Sequence, residues 1–401
     1  MNVDTATAVL TVDLDALAAN WRLLAARLGS ATCGAVVKAD AYGLGAARAA
    51  PALYRAGCRS FFVALVDEGV ALRSCLPDDA SIHVLHGPLP GAEMACLEHR
   101  LLPVLNSLDQ IERWQLLARR HGAALRAAMQ VDTGMARLGL SVPQLRLLLL
   151  QPERLEGVEL GLLISHLVSA ERPDADVNQH QQQLFAALAG ELRRRHPRVR
   201  ASLANSSGIF LGPHFHFDLA RPGAALYGVA PIAQAANPMR PVVRLQARMI
   251  QWRDIDAGDG VGYNHTWHAS RPARVATLSL GYADGYLRSL SNRARVRFMG
   301  APLRLIGRVS MDTVTVDVSS VPAATLSPGA LFDLIDEVAD INVLAEQAGT
   351  NAYEILTSLG PRYRRVYLEA ASSVPAPSSA QPDPDASGGR GGVAGHGTVA
   401  R

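Results

Sequence analysis

The sequence predicts an α/β protein: a TIM-like (β/α)8 barrel over residues 11–232, followed by a mostly β domain over residues 233–370. Three observations lead there. Short apolar runs that read as strands alternate with helical runs through the first part of the chain. The texture changes near Val229-Ala230-Pro231, beyond which the helices largely disappear. The chain's 401 residues also exceed the usual size of one hydrophobic core, so two domains are expected.

Val9-Leu10-Thr11-Val12-Asp13 reads as a short strand, with Asp13 capping a helical run from Leu14 to Leu28. The barrel strand candidates are Gly34 to Lys38, Ser60 to Leu65, Ile82 to His86, Leu101 to Leu105, Leu125 to Val131, Val158 to Ser165, Ala201 to Leu203 and Asp218 to Arg221. Helices such as Leu108 to His121 and Asp176 to His196 lie between them. A doubly wound open sheet is the alternative; no glycine-rich dinucleotide fingerprint follows the first strand, which counts against it. From Pro241 to about Leu368 the strand candidates are Val242 to Ile250, Arg274 to Leu280, Arg295 to Met299, Leu303 to Val309 and Thr313 to Val318. Residues 371–401 are mostly Ser, Pro, Ala, Gly and Asp, too poor in apolar surface to fold, so the tail is expected to be disordered.

A net charge of +3 is small for this length and gives no reason to expect nucleic acid or an acidic membrane surface as partner. The start, Met1-Asn2-Val3-Asp4-Thr5, has neither the basic segment nor the apolar core of a signal peptide. No apolar run approaches the roughly 20 residues of a membrane span. Cys33, Cys58, Cys75 and Cys96 show no metal spacing and no paired framework, so no metal is expected. They read as buried thiols in a reducing compartment, with the cytoplasm as the expected location.

Lys38 is the only lysine among 39 basic residues; all the others are arginine. Arginine serves wherever a positive charge suffices, but it does not give up its proton. An amine can be desolvated to a lower pKa, attack a carbonyl and form a Schiff base. Lys38 sits where a buried strand should open into a loop. Other polar groups fall at the carboxyl ends of the candidate strands, where a barrel does its chemistry. They are Tyr42, Asp132 to Arg137, His166, Asn205-Ser206-Ser207-Gly208 and Arg221-Pro222-Gly223. Taken singly, each has a structural reading: a satisfied histidine, a surface ion pair, a helix cap. Together they suit an anionic, phosphate-bearing cofactor carrying an aldehyde. Ser206, Ser207 and Gly208 would offer donors at a helix N-terminus.

The barrel carries the stretches Val37-Lys38-Ala39-Asp40-Ala41-Tyr42-Gly43, Val131-Asp132-Thr133-Gly134-Met135 with Arg137-Leu138-Gly139, Ser165-His166, Asn205-Ser206, and Arg221-Pro222-Gly223 with Tyr227-Gly228. The later part adds Val261-Gly262-Tyr263, Gly281-Tyr282-Ala283-Asp284-Gly285-Tyr286, Gly307-Arg308-Val309-Ser310-Met311-Asp312 and Asn351-Ala352-Tyr353-Glu354. Each alone is a weak match. The ordered set, from about residue 8 to residue 370, resembles the alanine racemase family of fold-type III pyridoxal-phosphate enzymes.

That resemblance implies a barrel joined to a β domain on which the N-terminal strand, residues 1–10, packs. It implies a homodimer in which each β domain completes the partner's site, and an activity that interconverts L- and D-alanine and supplies D-alanine for peptidoglycan. Lys38 would hold pyridoxal 5'-phosphate as a Schiff base. Tyr42, Ser206, Gly223, Ala224 and Tyr353 would hold its phosphate, with Asn205 in the same cofactor-binding set. Arg221 would face the pyridine nitrogen, and His166 would lie beside the ring. Arg137 would steady the cofactor's phenolic oxygen and, with Met311, the substrate carboxylate. Lys38 and Tyr263 would be the two bases, Tyr263 and Met311 arriving from the second subunit. A phenol brought from pKa 10 to about 8 needs roughly 2.7 kcal/mol of preferential stabilisation of its anion. His166, and Arg221 through it, carry the sign for that. Arg288, Arg308 and Glu171 match a charged access passage.

The sequence departs from the family at Gln130, where many relatives carry a lysine, often carbamylated, that braces the arginine. A bound anion or another carboxylate would then hold Arg137. Ser310 stands where a cysteine is common and Ala224 where a larger aliphatic is common. A broader or serine-directed racemase of the same fold is the alternative activity. A non-catalytic pyridoxal-phosphate carrier would resemble the barrel alone.

Overall fold

A computed structural model describes residues 5–338 and 340–370; the tail expected to be disordered, 371–401, lies outside the described residues. Strand β1 (Ala8–Asp13) leads into a helix, Leu14–Arg27, whose first turn is capped by the Asp13 carboxylate at 2.8 Å from the Ala16 N–H. Leu14, Leu17, Trp21 and Leu24 give this helix its buried face.

The first barrel strand is split. β2 (Thr32–Cys33) and β3 (Ala35–Val36) are separated at Gly34. A Cβ there would lie 2.9 Å from the Phe62 ring and 3.0 Å from the Ser60 carbonyl oxygen, so only glycine lets the strands close up. β4 (Ser60–Val63), β5 (Ser81–Val84), β6 (Leu101–Leu105), β7 (Leu125–Gln130), β8 (Val158–Ile164) and β9 (Arg200–Ser202) then run parallel to β3 in sequence order. β10 (Leu219–Ala220) pairs with β2. The ring is closed by short sets of bonds on both sides. Asp218 and Arg221 donate to the Ala201 and Ala204 carbonyls at 3.0 and 2.9 Å, and Gly34 and Val36 donate to the Ala220 and Pro222 carbonyls at 2.9 and 2.8 Å. The eighth strand is therefore present but too short to extend the ladder.

The barrel's interior packs Val36, Phe62, Val104, Ala128, Leu162, Ile164 and Leu219. Residues of opposite parity, such as Ile82 and Val84, face the surrounding helices. Among those helices, Leu108–His121 starts at a Ser107 cap and ends at left-handed Gly122, and Val142–Leu150 opens with a capping box between Ser141 and Gln144.

The second part is an antiparallel assembly. Its strands are β11 (Val243–Ile255), β12 (Gly260–Val261), β13 (Trp267–His268), β14 (Ala273–Leu278), β15 (Arg295–Phe298), β16 (Ala301–Ile306), β17 (Val314–Asp317), β18 (Leu331–Ile335) and β19 (Arg364–Leu368). β1 lies between β11 and β19, antiparallel to the first and parallel to the second. The N-terminal strand thus belongs to the β sheet while its own helix belongs to the barrel.

Several expectations need correction. Gly34 to Lys38 is not one strand: extended structure ends at Val36, and Lys38 opens a turn. Two helices, Ile341–Ala348 and Ala352–Ser358, interrupt the second part, capped by Asp340 and Asn351. The Ser207 segment is a single 3-10 turn, Ser207–Phe210, too short to act as a helix N-terminus for an anion.

Candidate functional site

After Val36 the chain makes a feature that L-residues avoid. Ala39, Asp40, Ala41 and Tyr42 all have φ between 52° and 55°, a complete left-handed turn. Left-handed helix costs about 1 kcal/mol or more per residue that carries a Cβ, so its neighbours must impose it. Glu68 does so from the barrel: one carboxylate oxygen accepts the Ala39 N–H at 2.6 Å, the other the N–H groups of Ala64 and Leu65 at 2.7 and 3.1 Å. Asp40 Oδ1 accepts the Ala46 N–H at 2.7 Å and closes the far end. The other clamp is the β domain. Tyr367 donates to the Leu44 carbonyl at 3.0 Å, and a Cβ on Gly43 would sit 2.6 Å from the Leu356 carbonyl oxygen. The strain holds Lys38 and Tyr42 at the barrel's carboxyl end.

Lys38 is half-buried. Its pKa is lowered first by burial, then by the Arg137 guanidinium, and Glu68 partly opposes both. His166 stands in the same field: burial, then Arg221, Arg137 and Lys38, push it down to about 3. It is therefore a neutral ring at ordinary pH, not the cation that the sequence reading would use to stabilise a phenolate.

Arg221 is buried and has no carboxylate partner among the described residues. It donates through Nη1 to the Ser202 carbonyl and hydroxyl at 2.7 and 2.6 Å, and through Nη2 to the Ser165 carbonyl at 2.6 Å. Burial brings it down to about 10, still charged at neutral pH. These neutral acceptors fix its direction and leave its charge uncompensated.

Ser206, Gly223 and Tyr42 meet at one corner. Ser206 Oγ accepts the N–H groups of Gly223 and Ala225 at 3.0 and 3.1 Å. A Cβ on Gly223 would come within 2.5 Å of the Tyr42 hydroxyl and 3.2 Å of Val36, so this approach requires glycine. Tyr42 is pushed up to about 12 by burial and by neighbouring Tyr353, and so stays a hydroxyl donor. Its ring packs 4.7 Å from that of Tyr227, whose hydroxyl holds the Val36 carbonyl at 3.0 Å. Ala224 starts a short turn with its N–H lacking a partner among the described residues. Asn205 is engaged locally, its Oδ1 accepting the Gly208 N–H at 2.8 Å.

The Asp132–Arg137 loop is wound around its own carboxylate: Asp132 accepts from Gly134, Met135 and Ala136 at 2.9, 2.8 and 2.9 Å. Gln130 Nε2 donates to the Leu138 carbonyl at 3.0 Å. The neutral amide therefore braces the backbone beside Arg137, whose side chain is exposed.

Lys38, Tyr42, Arg137, His166, Ser206, Arg221, Gly223 and Tyr353 are thus joined by contact or mutual field. Tyr263 and Met311 are not. Tyr263 is 67 % exposed and Met311 53 % exposed on the β domain, and no described contact ties either to the barrel group. Met311's carbonyl accepts the Ala283 N–H at 3.0 Å, while its own N–H has no partner among the described residues. Its loop is held through Asp312 by Arg362, which also grips Asp284. Arg288 and Arg308 line a common hollow of about 270 Å3 with Thr266, Ser291 and Asn292; Glu171 is not part of it.

Sequence reasoning missed Glu68, Ser202 and Gln181. Gln181 is fully buried and ties three parts of the site: Nε2 donates to Thr133 Oγ1 at 3.2 Å and to the His166 carbonyl at 2.9 Å, and Oε1 accepts the Val168 N–H at 3.0 Å. Its one signal was an amide on the inward face of the Asp176 helix.

Comparison with known proteins supplies the remaining observation. Residues 12–231 match the alanine racemase N-terminal domain and residues 242–367 the alanine racemase C-terminal domain. The alanine racemase of Rhodospirillum rubrum is 51 % identical over 365 residues, covering 91 % of this chain and 96 % of the relative. That of Brucella abortus is 47 % identical, covering 90 % and 93 %. Among solved structures, alanine racemase from Bartonella henselae with covalently bound pyridoxal phosphate superposes with a TM-score of 0.86 at 42 % identity, covering 90 % of this chain and all of that one. The biosynthetic enzyme of Pseudomonas aeruginosa gives 0.83 at 33 % identity, covering 91 % of this chain and all of that one. With both domains matched in order and half the residues shared with a full-length relative, the chain belongs to the alanine racemase family.

Proposed function

We propose that this protein interconverts L- and D-alanine using pyridoxal 5'-phosphate, and so supplies D-alanine for peptidoglycan. The observation that carries the reading is the placing of the chain's one lysine, half-buried with a lowered pKa, between a strained turn and a ring of anion-binding groups.

The residues present fit the cofactor. The corner where Gly223 admits no Cβ, with the Tyr42 hydroxyl, Ser206 and the Ala224 N–H, suits a phosphate. Tyr353 and Asn205 complete that side. A buried guanidinium without a carboxylate suits a neutral pyridine nitrogen as acceptor, and Arg221 will not give that nitrogen a proton. When bound, pyridoxal phosphate supplies the electron sink that lets an α-proton leave an amino acid.

Lys38 would hold the cofactor, and its freed amine would serve as the base on one face of the substrate. Burial and Arg137 favour its neutral form, the form that accepts a proton. Neutral His166 would lie beside the ring without adding charge. Arg137 would meet the cofactor's phenolic oxygen and the substrate carboxylate; Met311, exposed on its own chain, would reach that carboxylate only from the partner subunit, where its N–H, unpartnered among the described residues, would add a donor.

The opposite face needs a second base. Tyr263 is exposed on its own chain, so we assign that role to Tyr263 of the partner subunit in a homodimer whose β domains complete each other's sites. Arg288 and Arg308 would line the approach. A cytoplasmic location fits the four free thiols. No helix among the described residues is long and apolar enough to cross a membrane.

Purified protein should be yellow and convert L-alanine to D-alanine faster than it converts other L-amino acids. Faster turnover of L-serine would move the specificity, and a yellow protein with no turnover of any amino acid would sink the assignment.

A further inference from the structure

At the end of the barrel away from Lys38, the amino ends of the strands surround a cavity of about 300 Å3. Inward positions of a barrel are ordinarily filled by layers of branched apolar residues. Here the outermost inward layer is charged: Arg126 from β7, Glu159 from β8 and Arg200 from β9, with Arg198 just before β9. Ser81 and Leu102 complete it from β5 and β6. None of the three guanidinium groups has an ion pair or a hydrogen bond among the described residues, and neither has the Glu159 carboxylate. The net balance at the mouth is two positive charges.

The floor of the cavity supplies an independent observation. His83, two residues along β5 from Ser81, is 3 % exposed and lines the cavity, and both of its ring nitrogens lack a hydrogen-bond partner. Its ring lies flat on that of Phe62, with centroids 4.6 Å apart and planes within 13° of each other, so it has little freedom to turn elsewhere. A neutral imidazole always carries one N–H donor, and leaving a donor buried and unpaired costs about 1–3 kcal/mol. Burial and the nearby Arg200, Arg126 and Arg221 push this ring down to about 3, so it stays neutral instead of repelling the arginines.

We propose that this cavity is a second anion site, in which a small dianionic oxyanion pairs with Arg126 and Arg200 at the mouth and accepts the His83 ring N–H at the floor. Arg198 adds long-range attraction, which the Glu159 carboxylate at the mouth partly offsets. The site is built from strand residues, fixed by the ladder, and shares no side chain with the cofactor corner. It is independent of the racemase reading.

The test uses the purified protein with its cofactor bound, so that the Gly223 corner is already filled, and inorganic phosphate as the probe. Titration calorimetry and thermal unfolding are run in phosphate against sodium chloride of matched ionic strength, on the wild type and on an Arg126→Gln/Arg200→Gln variant. The expected result is saturable phosphate binding to the wild type, with a matching rise in Tm. Affinity should be weakened on the order of tenfold or more in the variant, whose racemase activity without phosphate is unchanged. Equal phosphate responses in wild type and variant, or no response beyond that of chloride, would overturn the proposal. His83→Phe, which keeps the stacked ring and removes both nitrogens, gives a second reading: affinity should fall while Tm without phosphate holds or rises. Undiminished affinity in that variant would remove His83 from the site.

Discussion

Lys38 and Arg221 show what one functional group decides. Both are basic; burial and Arg137 lower the Lys38 pKa, while Arg221 keeps its proton though buried among carbonyl oxygens. Lys38→Arg keeps charge and bulk, so circular dichroism and Tm should stay close to wild type while racemisation falls by roughly a thousandfold or more. Substantial activity in that variant would mean that another group holds the cofactor. Gly223→Ala tests the phosphate corner: the new methyl meets the Tyr42 hydroxyl, so cofactor affinity should drop at least about tenfold with the barrel intact. Two imidazoles make a pH prediction. His83 and His166 are both pushed down to about 3, whereas an unfolded histidine titrates near 6.5. Below pH 6.5 the unfolded chain takes up protons that the folded chain refuses. Stability present above 6.5 is therefore lost as the pH falls toward 3, by up to about 1.4 kcal/mol per pH unit for each ring. Urea midpoints of the cofactor-free protein should be clearly lower at pH 5 than at pH 7; equal midpoints would contradict the placement of both rings.

At the scale of the element, the left-handed turn from Ala39 to Tyr42 is held by groups remote in sequence. Glu68→Gln replaces one of two accepting oxygens with a donor facing a backbone N–H, so it should destabilise the protein by about 2 kcal/mol. An unchanged Tm would show that the turn is held by other means. Gln181→Leu leaves the Val168 N–H and the Thr133 hydroxyl short of a partner and should cost a similar amount. These elements also mark what a linear reading can reach. The strands after Gly34 were legible because apolar runs bounded by turn residues have a local signature, and Asp13 announces its helix by capping; the Ser141 cap and the Val142–Leu150 helix behind it were not read from the sequence. The left-handed turn had no such signature, because Ala-Asp-Ala-Tyr has no local preference for it; Glu68, Tyr367 and Leu356 impose it from afar. Gln181 was equally hidden, an amide on a helix whose burial depends on what packs above it. The candidate residues Lys38, Tyr42, His166, Ser206 and Arg221 were legible because the carboxyl end of each parallel strand is shared ground in a barrel. The neutrality of His166 was not, since it depends on three cations brought together only by folding.

On the scale of the whole molecule, the chain gathers the proposed cofactor corner in the barrel and leaves Tyr263 and Met311 facing outward. The proposed sharing of sites between two subunits makes a sharp prediction. Lys38→Arg and Tyr263→Phe chains, each nearly inactive alone, should complement when co-expressed, because one site of every mixed dimer then holds an intact Lys38 and an intact Tyr263. Random assortment gives roughly a quarter of wild-type activity. No recovery would place both bases on one chain. The central claim, that the single lysine carries the cofactor, has a still more direct test. The yellow protein is reduced with borohydride, digested and mapped by mass spectrometry. The account predicts a phosphopyridoxyl group on the peptide containing Lys38 and on no other. Cofactor reduced and retained by the protein with the Lys38 peptide unmodified would contradict it.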